Sequence, residues 1–195
     1  MACPYCYNPH IVRDNGNISL DEALEFLQNR QGRLDSVVLS GGECTLYPHL
    51  EAFCEAIKAL DYKIKIDTNG SNPELLRTLI ENGLVDYIAL DYKAPHYKYT
   101  ELTHYRHFER FEQSLNLLIR SYLPFEVRTT LHSDLLTPAD INAIIEDLHK
   151  KEYLGTYYLQ NYLHVEPTLG ATKKQQNQFD LSQLTPLLPI ELRNF

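Results

Sequence analysis

The chain has 195 residues, of which 44% are hydrophobic, and its formal net charge is −8. This size and composition predict a single globular domain over residues 1–195, with residues 165–195 forming a loop and a tail that pack against it. No apolar run is long enough to span a membrane, no secretory signal is apparent, and the acidic balance disfavours nucleic acid, so we expect a cytoplasmic protein that binds neither membrane nor nucleic acid.

Five short apolar segments predict β-strands, and segments with helical periodicity separate them. The strands are expected in DSVVLSGGE, YKIKIDTNG, VDYIALDYK, FEVRTTLH and TYYLQNY, at residues 35–43, 62–70, 85–93, 125–132 and 156–162. Helix starts are marked by a capping box of Ser19 and Glu22, and by prolines at 73 and 138. This alternation predicts an α/β fold with a parallel sheet, either doubly wound or closed into a whole or partial barrel.

Polar side chains gather where the predicted strands end. They are Ser40, Gly41, Gly42 and Glu43; Asp67, Thr68 and Asn69; Asp91 and Lys93; Arg128 and Thr130; and Gln160 and Asn161. Ligands bind at the carboxyl ends of parallel strands, and charges within strands are costly unless they are paired or functional. Internal salt bridges and helix caps explain any one of these residues equally well, but the whole set predicts a ligand site.

A C-x-x-C motif, CPYC, contains two of the four cysteines, Cys3 and Cys6. A closed zinc site needs four ligands, and the sequence has no second C-x-x-C or His pair at finger spacing. A thioredoxin-like dithiol normally follows a strand and opens a helix, and Cys3 stands too early in the chain for that. An iron–sulfur cluster is the third possibility, because thiolates are its usual ligands.

Four motifs together carry a family resemblance: CPYCYNPH, SGGE, DTNG and DYKAP, in this order. From Cys3 to about Thr168 the chain resembles radical S-adenosylmethionine (radical SAM) enzymes, and in detail the activating proteins of anaerobic ribonucleoside-triphosphate reductases. The resemblance implies a partial, TIM-like (β/α)6 barrel in which three cysteines hold a [4Fe–4S] cluster that binds SAM. One electron splits SAM to a 5′-deoxyadenosyl radical, which takes a hydrogen atom from a backbone glycine of a partner enzyme.

The resemblance also implies roles for individual residues. Cys3 and Cys6 match the last two cluster ligands, and Tyr5 matches the aromatic residue beside the cluster and SAM. The GGE motif that receives the methionyl amino group is matched by Gly41, Gly42 and Glu43. Other matches would line the SAM pocket: Asp67 and Asn69 near the ribose and methionine, Asp91 and Lys93 on the next strand, Arg128 near the SAM carboxylate, and Gln160 near the adenine.

The sequence departs from the family motif C-x-x-x-C-x-x-C at its first cysteine. That cysteine would fall at the second position before Met1, and the first barrel strand would precede it. We therefore expect an N-terminally truncated chain that lacks the first strand of the barrel. Cys44, directly after the GGE motif, is an alternative third ligand, whereas Cys54 is expected to be a buried small hydrophobic residue.

The leading hypothesis is a radical SAM activase that installs a glycyl radical on anaerobic ribonucleotide reductase, with reduced flavodoxin or a ferredoxin-type protein as electron donor. One alternative is another small radical SAM enzyme, similar to pyruvate formate-lyase activase or acting on a small molecule. A second is an inactive truncated fragment that serves only as a binding module. The tyrosine-rich residues 94–108 are expected to form a loop over the barrel mouth, with a partner-docking surface as the alternative.

Overall fold

The computed structural model describes residues 1–6, 8–13, 16–170 and 172–195. The strands are β1 Ser36–Leu39, β2 Lys63–Thr68, β3 Tyr87–Asp91, β4 Phe125–Leu131, β5 Tyr157–Asn161 and β6 Ile190–Arg193. The helices are α1 Pro9–Arg13, α2 Leu20–Gln28, α3 Leu50–Ala59, α4 Pro73–Glu81, α5 His96–Thr103, α6 Phe108–Arg120 and α7 Pro138–Lys150. Short 3-10 turns cover Cys44–Leu46 and Leu181–Gln183.

The six strands form one sheet in chain order, and every neighbouring pair is parallel. In the described part of the chain, β1 and β6 lie at opposite edges and do not pair with each other. A parallel sheet with strands in chain order and helical crossovers is an unclosed, TIM-like barrel. The predicted α/β class and partial barrel are therefore confirmed.

Two segments differ from the prediction. Residues 165–195, expected as a loop and tail, include the sixth strand, β6, which begins beside Pro189 and has only four residues. Residues 94–108, expected as a loop, contain α5, whose Tyr99 is fully buried against Phe108. Both elements are short and flanked by proline, and neither has a hydrophobic periodicity long enough to predict it from the sequence. Their stability comes from tertiary packing.

The predicted helix starts have the expected capping. Ser19 Oγ accepts a hydrogen bond from the Glu22 amide at 3.2 Å, and the Glu22 carboxylate accepts one from the Ser19 amide at 2.8 Å. Thr137 forms a second capping box ahead of Pro138. These caps satisfy backbone N–H groups that have no partner within the helix. No helix in the described residues is long and apolar enough to cross a membrane.

The two faces of the sheet differ in chemistry. On β2, Ile64 and Ile66 are fully buried, whereas Lys65 and Asp67, which alternate with them, point to the opposite face and retain some exposure. Successive strand residues point to opposite faces, so one face packs on the helices and the other carries charged side chains. The parallel register then brings the charged residues of β2, β3 and β4 to one end of the concave face.

Candidate functional site

A cavity of about 520 Å³ opens at the carboxyl ends of the strands. All the site residues that the sequence predicted line this cavity: Cys3, Tyr5, Cys6, Gly41, Gly42, Glu43, Asp67, Asn69, Asp91, Lys93, Arg128 and Gln160. Its volume lies within the range of small-molecule and cofactor sites. The topology therefore gathers the predicted set into one place, while the role of each residue stays a prediction.

The glycine turn after β1 is joined to the end of β2 by Glu43. Its Oε1 accepts hydrogen bonds from Thr45 Oγ1 at 2.6 Å and Thr68 Oγ1 at 2.7 Å. Its Oε2 accepts a hydrogen bond from the Asn69 amide at 2.7 Å. Gly41 has a φ of 130°, in a region that favours glycine. Glu43 thus fixes the shape of this wall, so its predicted contact with an amino group would have to share oxygens that already accept hydrogen bonds.

Arg128 ties together the carboxylates at the ends of β2 and β3. Its Nε donates a hydrogen bond to Asp91 Oδ1 at 2.6 Å, and its Nη2 lies 3.2 Å from Asp67 Oδ2. Lys93 Nζ donates to Asp91 Oδ2 at 2.9 Å. The internal salt bridges considered from the sequence are therefore present, and they form part of the cavity wall.

The charges in this network stabilise one another. Burial alone would raise the pKa of Asp91, but Lys93 and Arg128 outweigh burial, so this pKa lies below its usual value. Burial likewise opposes the charge on Arg128, but Asp91 and Asp67 raise its pKa overall. A cavity lined by fixed charges of both signs suits a zwitterionic ligand.

Two buried polar atoms in the cavity wall have unused hydrogen-bonding capacity. Tyr5 Oη and Asp67 Oδ1 have no hydrogen-bond partner among the described residues, although Lys65 Nζ lies 3.5 Å from Asp67 Oδ1. Burial and the nearby Cys3 raise the pKa of Tyr5 well above its usual value, so its hydroxyl stays protonated. Buried polar atoms without partners are costly, and a polar ligand in the cavity would give a reason for them.

The four cysteines fall into two groups. Cys3 and Cys6 form a turn, in which the Cys6 amide donates to the Cys3 carbonyl at 3.1 Å, and both line the cavity. The Cys44 thiol lies outside the cavity lining, 3.5 Å from the Asp67 carbonyl, and burial raises its pKa to about 12. Cys54 is fully buried on α3, as predicted. The Cys44 thiol lies against the backbone carbonyls of Leu39 and Asp67 and outside the cavity lining, so its position does not support the alternative that it is the third ligand.

The thiols of Cys3 and Cys6 provide part of the ligand set of a cluster. In the ranges that the structure describes, no group of three or more His, Cys, Asp or Glu side chains is placed to hold a metal ion. A [4Fe–4S] cluster of this type needs three thiolates, so the described residues do not complete the set. The rest of the cavity fits a zwitterionic ligand by its volume, its charges and its unpartnered atoms.

Several cavity residues were not predicted as site residues. They are Met1, Asn8, Tyr162, Leu163, Val165 and Asn194. Asn194 follows β6, and Leu163 and Val165 lie in the segment after β5, so only the tertiary fold brings them to the site. Tyr162 ends a strand that was predicted, and the strand-end rule could have included it.

Comparison with known families gives one match over most of the chain. The model of the radical SAM superfamily matches residues 1–148. A Methanocaldococcus jannaschii protein, provisionally named as a glycyl-radical enzyme activating enzyme, is 30% identical over 154 residues, which cover 74% of this chain and 62% of that protein. The 7-carboxy-7-deazaguanine synthase of Neisseria meningitidis is 30% identical over 94 residues, covering 48% of this chain and 39% of that enzyme.

Solved structures show the same fold. Streptococcus suis SuiB bound to S-adenosylmethionine matches 99% of this chain and 47% of the SuiB chain, with a TM-score of 0.73 and 16% sequence identity. At that identity the similarity concerns the fold alone. The chain spans less than two thirds of the length of each of these three proteins.

Proposed function

The chain belongs to the radical SAM superfamily, whose cofactors are a [4Fe–4S] cluster and SAM, and from this membership we propose that it serves as a glycyl-radical activating enzyme. The partner we propose is an anaerobic ribonucleotide reductase. The observation that carries the proposal is the cavity that joins the Cys3–Cys6 turn, the glycine turn and the Arg128 network. The similarity to the M. jannaschii protein favours an activase over other members of the superfamily.

Together, a reduced cluster and SAM supply a carbon radical that abstracts a hydrogen atom. The chain's own residues contribute binding and orientation. If SAM binds in the cavity, Asp67 and Asp91 would offer negative charge to its positive groups, and Lys93 would offer positive charge to its carboxylate. Because Arg128 holds both aspartates by short ionic contacts, their carboxylates are already oriented before the ligand arrives.

The thiols of Cys3 and Cys6 would supply two of the three cluster ligands. Testing the proposal therefore needs two proteins: the 195-residue chain, and an extended chain with Met-Cys-Ala placed before Met1. The added cysteine then stands four positions before Cys3 and completes C-x-x-x-C-x-x-C. Comparing the two separates the contribution of the third thiolate from that of the cavity.

A small-molecule substrate is the second candidate, favoured by the similarity of 48% of the chain to 7-carboxy-7-deazaguanine synthase. The two candidates differ in the source of the abstracted hydrogen. An activase takes it from the backbone of a large protein, whereas a small-molecule enzyme takes it from a diffusible compound.

Deuterium transfer from a labelled partner tests the activase proposal. The extended chain, reconstituted and reduced, is mixed with SAM and an anaerobic ribonucleotide reductase that carries deuterated glycine. We expect deuterium in the 5′-deoxyadenosine by mass spectrometry and a glycyl-radical doublet by electron paramagnetic resonance. A reductase with its radical glycine replaced by alanine is the control. Unlabelled 5′-deoxyadenosine without the doublet would contradict the activase role and favour a small-molecule enzyme.

A further inference from the structure

The turn that carries Cys3 and Cys6 is held by a segment from the other end of the chain. The amide of Leu169 donates a hydrogen bond to the Cys6 carbonyl at 2.9 Å, and the amide of Gly170 donates to the Pro4 carbonyl at 2.8 Å. We call residues 163–170 the clamp segment. Its first part lines the cavity through Leu163 and Val165, and its last part binds the cysteine turn.

Gly170 lies too close to the turn for any side chain. A Cβ atom at this position would stand 2.6 Å from Pro4 Cβ, 2.7 Å from Pro4 Cα and 3.2 Å from the Pro4 oxygen. The backbone of Gly170 is not among the positive-φ positions, so the need for glycine comes from space and not from conformation. Two of these three atoms, Cα and the oxygen, belong to the Pro4 backbone, so a rotamer change cannot relieve the contact, and the turn itself would have to move.

The clamp differs in position from a second hydrogen bond that anchors the chain near the turn. The Ala2 amide donates to the Thr103 carbonyl, at the end of α5, with a distance of 2.9 Å. That bond holds the chain before Cys3, whereas the two clamp bonds hold Pro4 and Cys6. Loss of the clamp would therefore leave the entry to the turn in place and free the part that orients the two thiols relative to each other.

We propose that Gly170 is a positioning residue for the cysteine pair, because its lack of a side chain lets the clamp segment fix the Cys3–Cys6 turn against the cavity. This inference rests on the proposed role of both cysteines as cluster ligands. The clamp also connects the cavity wall at Val165 to the turn within one short segment.

Thiol alkylation of the cofactor-free chain tests the proposal without either cofactor. Reduced protein is treated with iodoacetamide, and the rate at each of the four cysteines is followed by peptide mass spectrometry. Gly170→Ala is expected to raise the rate at Cys3, which is 7% exposed, by about tenfold, because a local opening now exposes it. The rates at Cys44 and Cys54 should stay as in the wild-type chain.

Gly16→Ala is the matched control, since a Cβ at Gly16 meets nothing within 4 Å. It should leave all four rates unchanged. An unchanged Cys3 rate in Gly170→Ala would overturn the proposal. An equal rise at all four cysteines would also overturn it, because that pattern means general unfolding and not a released turn.

Hydrogen exchange of the wild-type chain supplies a measurement that needs no variant. The Leu169 and Gly170 amides should exchange slowly, because both donate to the turn, and rapid exchange at both would contradict the clamp. In the extended chain, Gly170→Ala should also lower the bound iron and change the cluster spectrum. If the extended wild-type chain binds no cluster but Cys3 still responds to Gly170→Ala, the clamp stands and the proposed function falls.

Discussion

Replacing Arg128 by leucine is expected to lower the free energy of unfolding by about 3 kcal/mol, because it removes the cation that Asp67 and Asp91 share at the cavity wall. Arg128 is 15% exposed, and its guanidinium contacts both Asp67 and Asp91. Lys93 still neutralises part of the charge on Asp91, which places the effect at the lower end of the range for a broken buried ion pair. Denaturant unfolding of both proteins measures the difference.

The same variant has a predictable pH dependence. The lowered pKa of Asp91 gives the wild-type chain stability that is complete above the ordinary aspartate value of 3.8 and is lost as the pH falls through the lowered value. Arg128→Leu removes a cause of that lowering, so the variant has less stability to lose in acid. The difference in free energy of unfolding between the wild-type chain and Arg128→Leu should therefore shrink as the pH falls from neutral to below 3.8.

Arg77→Ala is the control for this prediction. Arg77 pairs with Glu81 on the surface of α4, where both side chains are more than half exposed, so its loss should cost less than about 0.5 kcal/mol. Two results would contradict the stabilising role of the ion pairs that Arg128 makes with Asp67 and Asp91. One is a loss of unfolding free energy in Arg128→Leu as small as that in Arg77→Ala, and the other is a loss in Arg128→Leu that does not change with pH.

Replacing Cys3 or Cys6 by serine in the extended chain is expected to reduce the bound iron from about four atoms per chain to nearly none. The physical reason is that each variant removes one of three thiolates, and two hold such a cluster poorly. Iron and sulfide assays after anaerobic reconstitution measure the effect.

Cys44→Ser is the matched control, since its thiol lies against the backbone carbonyls of Leu39 and Asp67, and Cys44 does not itself line the cavity. This variant should retain the full iron content. Loss of iron from Cys44→Ser, together with retention in Cys3→Ser, would mean that the cluster lies elsewhere and that the cavity has another purpose.

The sequence was sufficient to predict which residues meet at the site, because the topology of a parallel sheet determines this. In a parallel sheet all carboxyl ends meet at one edge, so Asp67, Asp91 and Arg128 had to converge once their strands were recognised. The glycine turn before Glu43 could be placed at the site for the same reason, since it directly follows a predicted strand. What the sequence left open was the pairing, because whether Arg128 contacts one aspartate or two depends on distances that no local pattern contains.

The features that were missed depend on contacts between distant parts of the chain. β6 is four residues long and, among the described residues, pairs only with β5, so the sequence offers too short an apolar/polar alternation to predict it as a strand. Helix α5 is stabilised by burial of Tyr99 among aromatic side chains and not by a regular apolar stripe. The clamp at Gly170 brings together two segments more than 160 positions apart, and a single glycine in a polar stretch gives no sign of it.

The most direct test of the proposal that the cavity binds SAM is reductive cleavage of SAM by the 195-residue chain and by the extended chain, each reconstituted anaerobically. The quantity to measure is 5′-deoxyadenosine per chain, with iron and sulfide assayed in parallel. We predict that the extended chain holds about four irons and forms 5′-deoxyadenosine, and that the Arg128→Leu variant of it forms far less. If the extended chain binds the cluster but leaves SAM intact, or binds neither cofactor, the cavity is not the SAM site that its residues indicate.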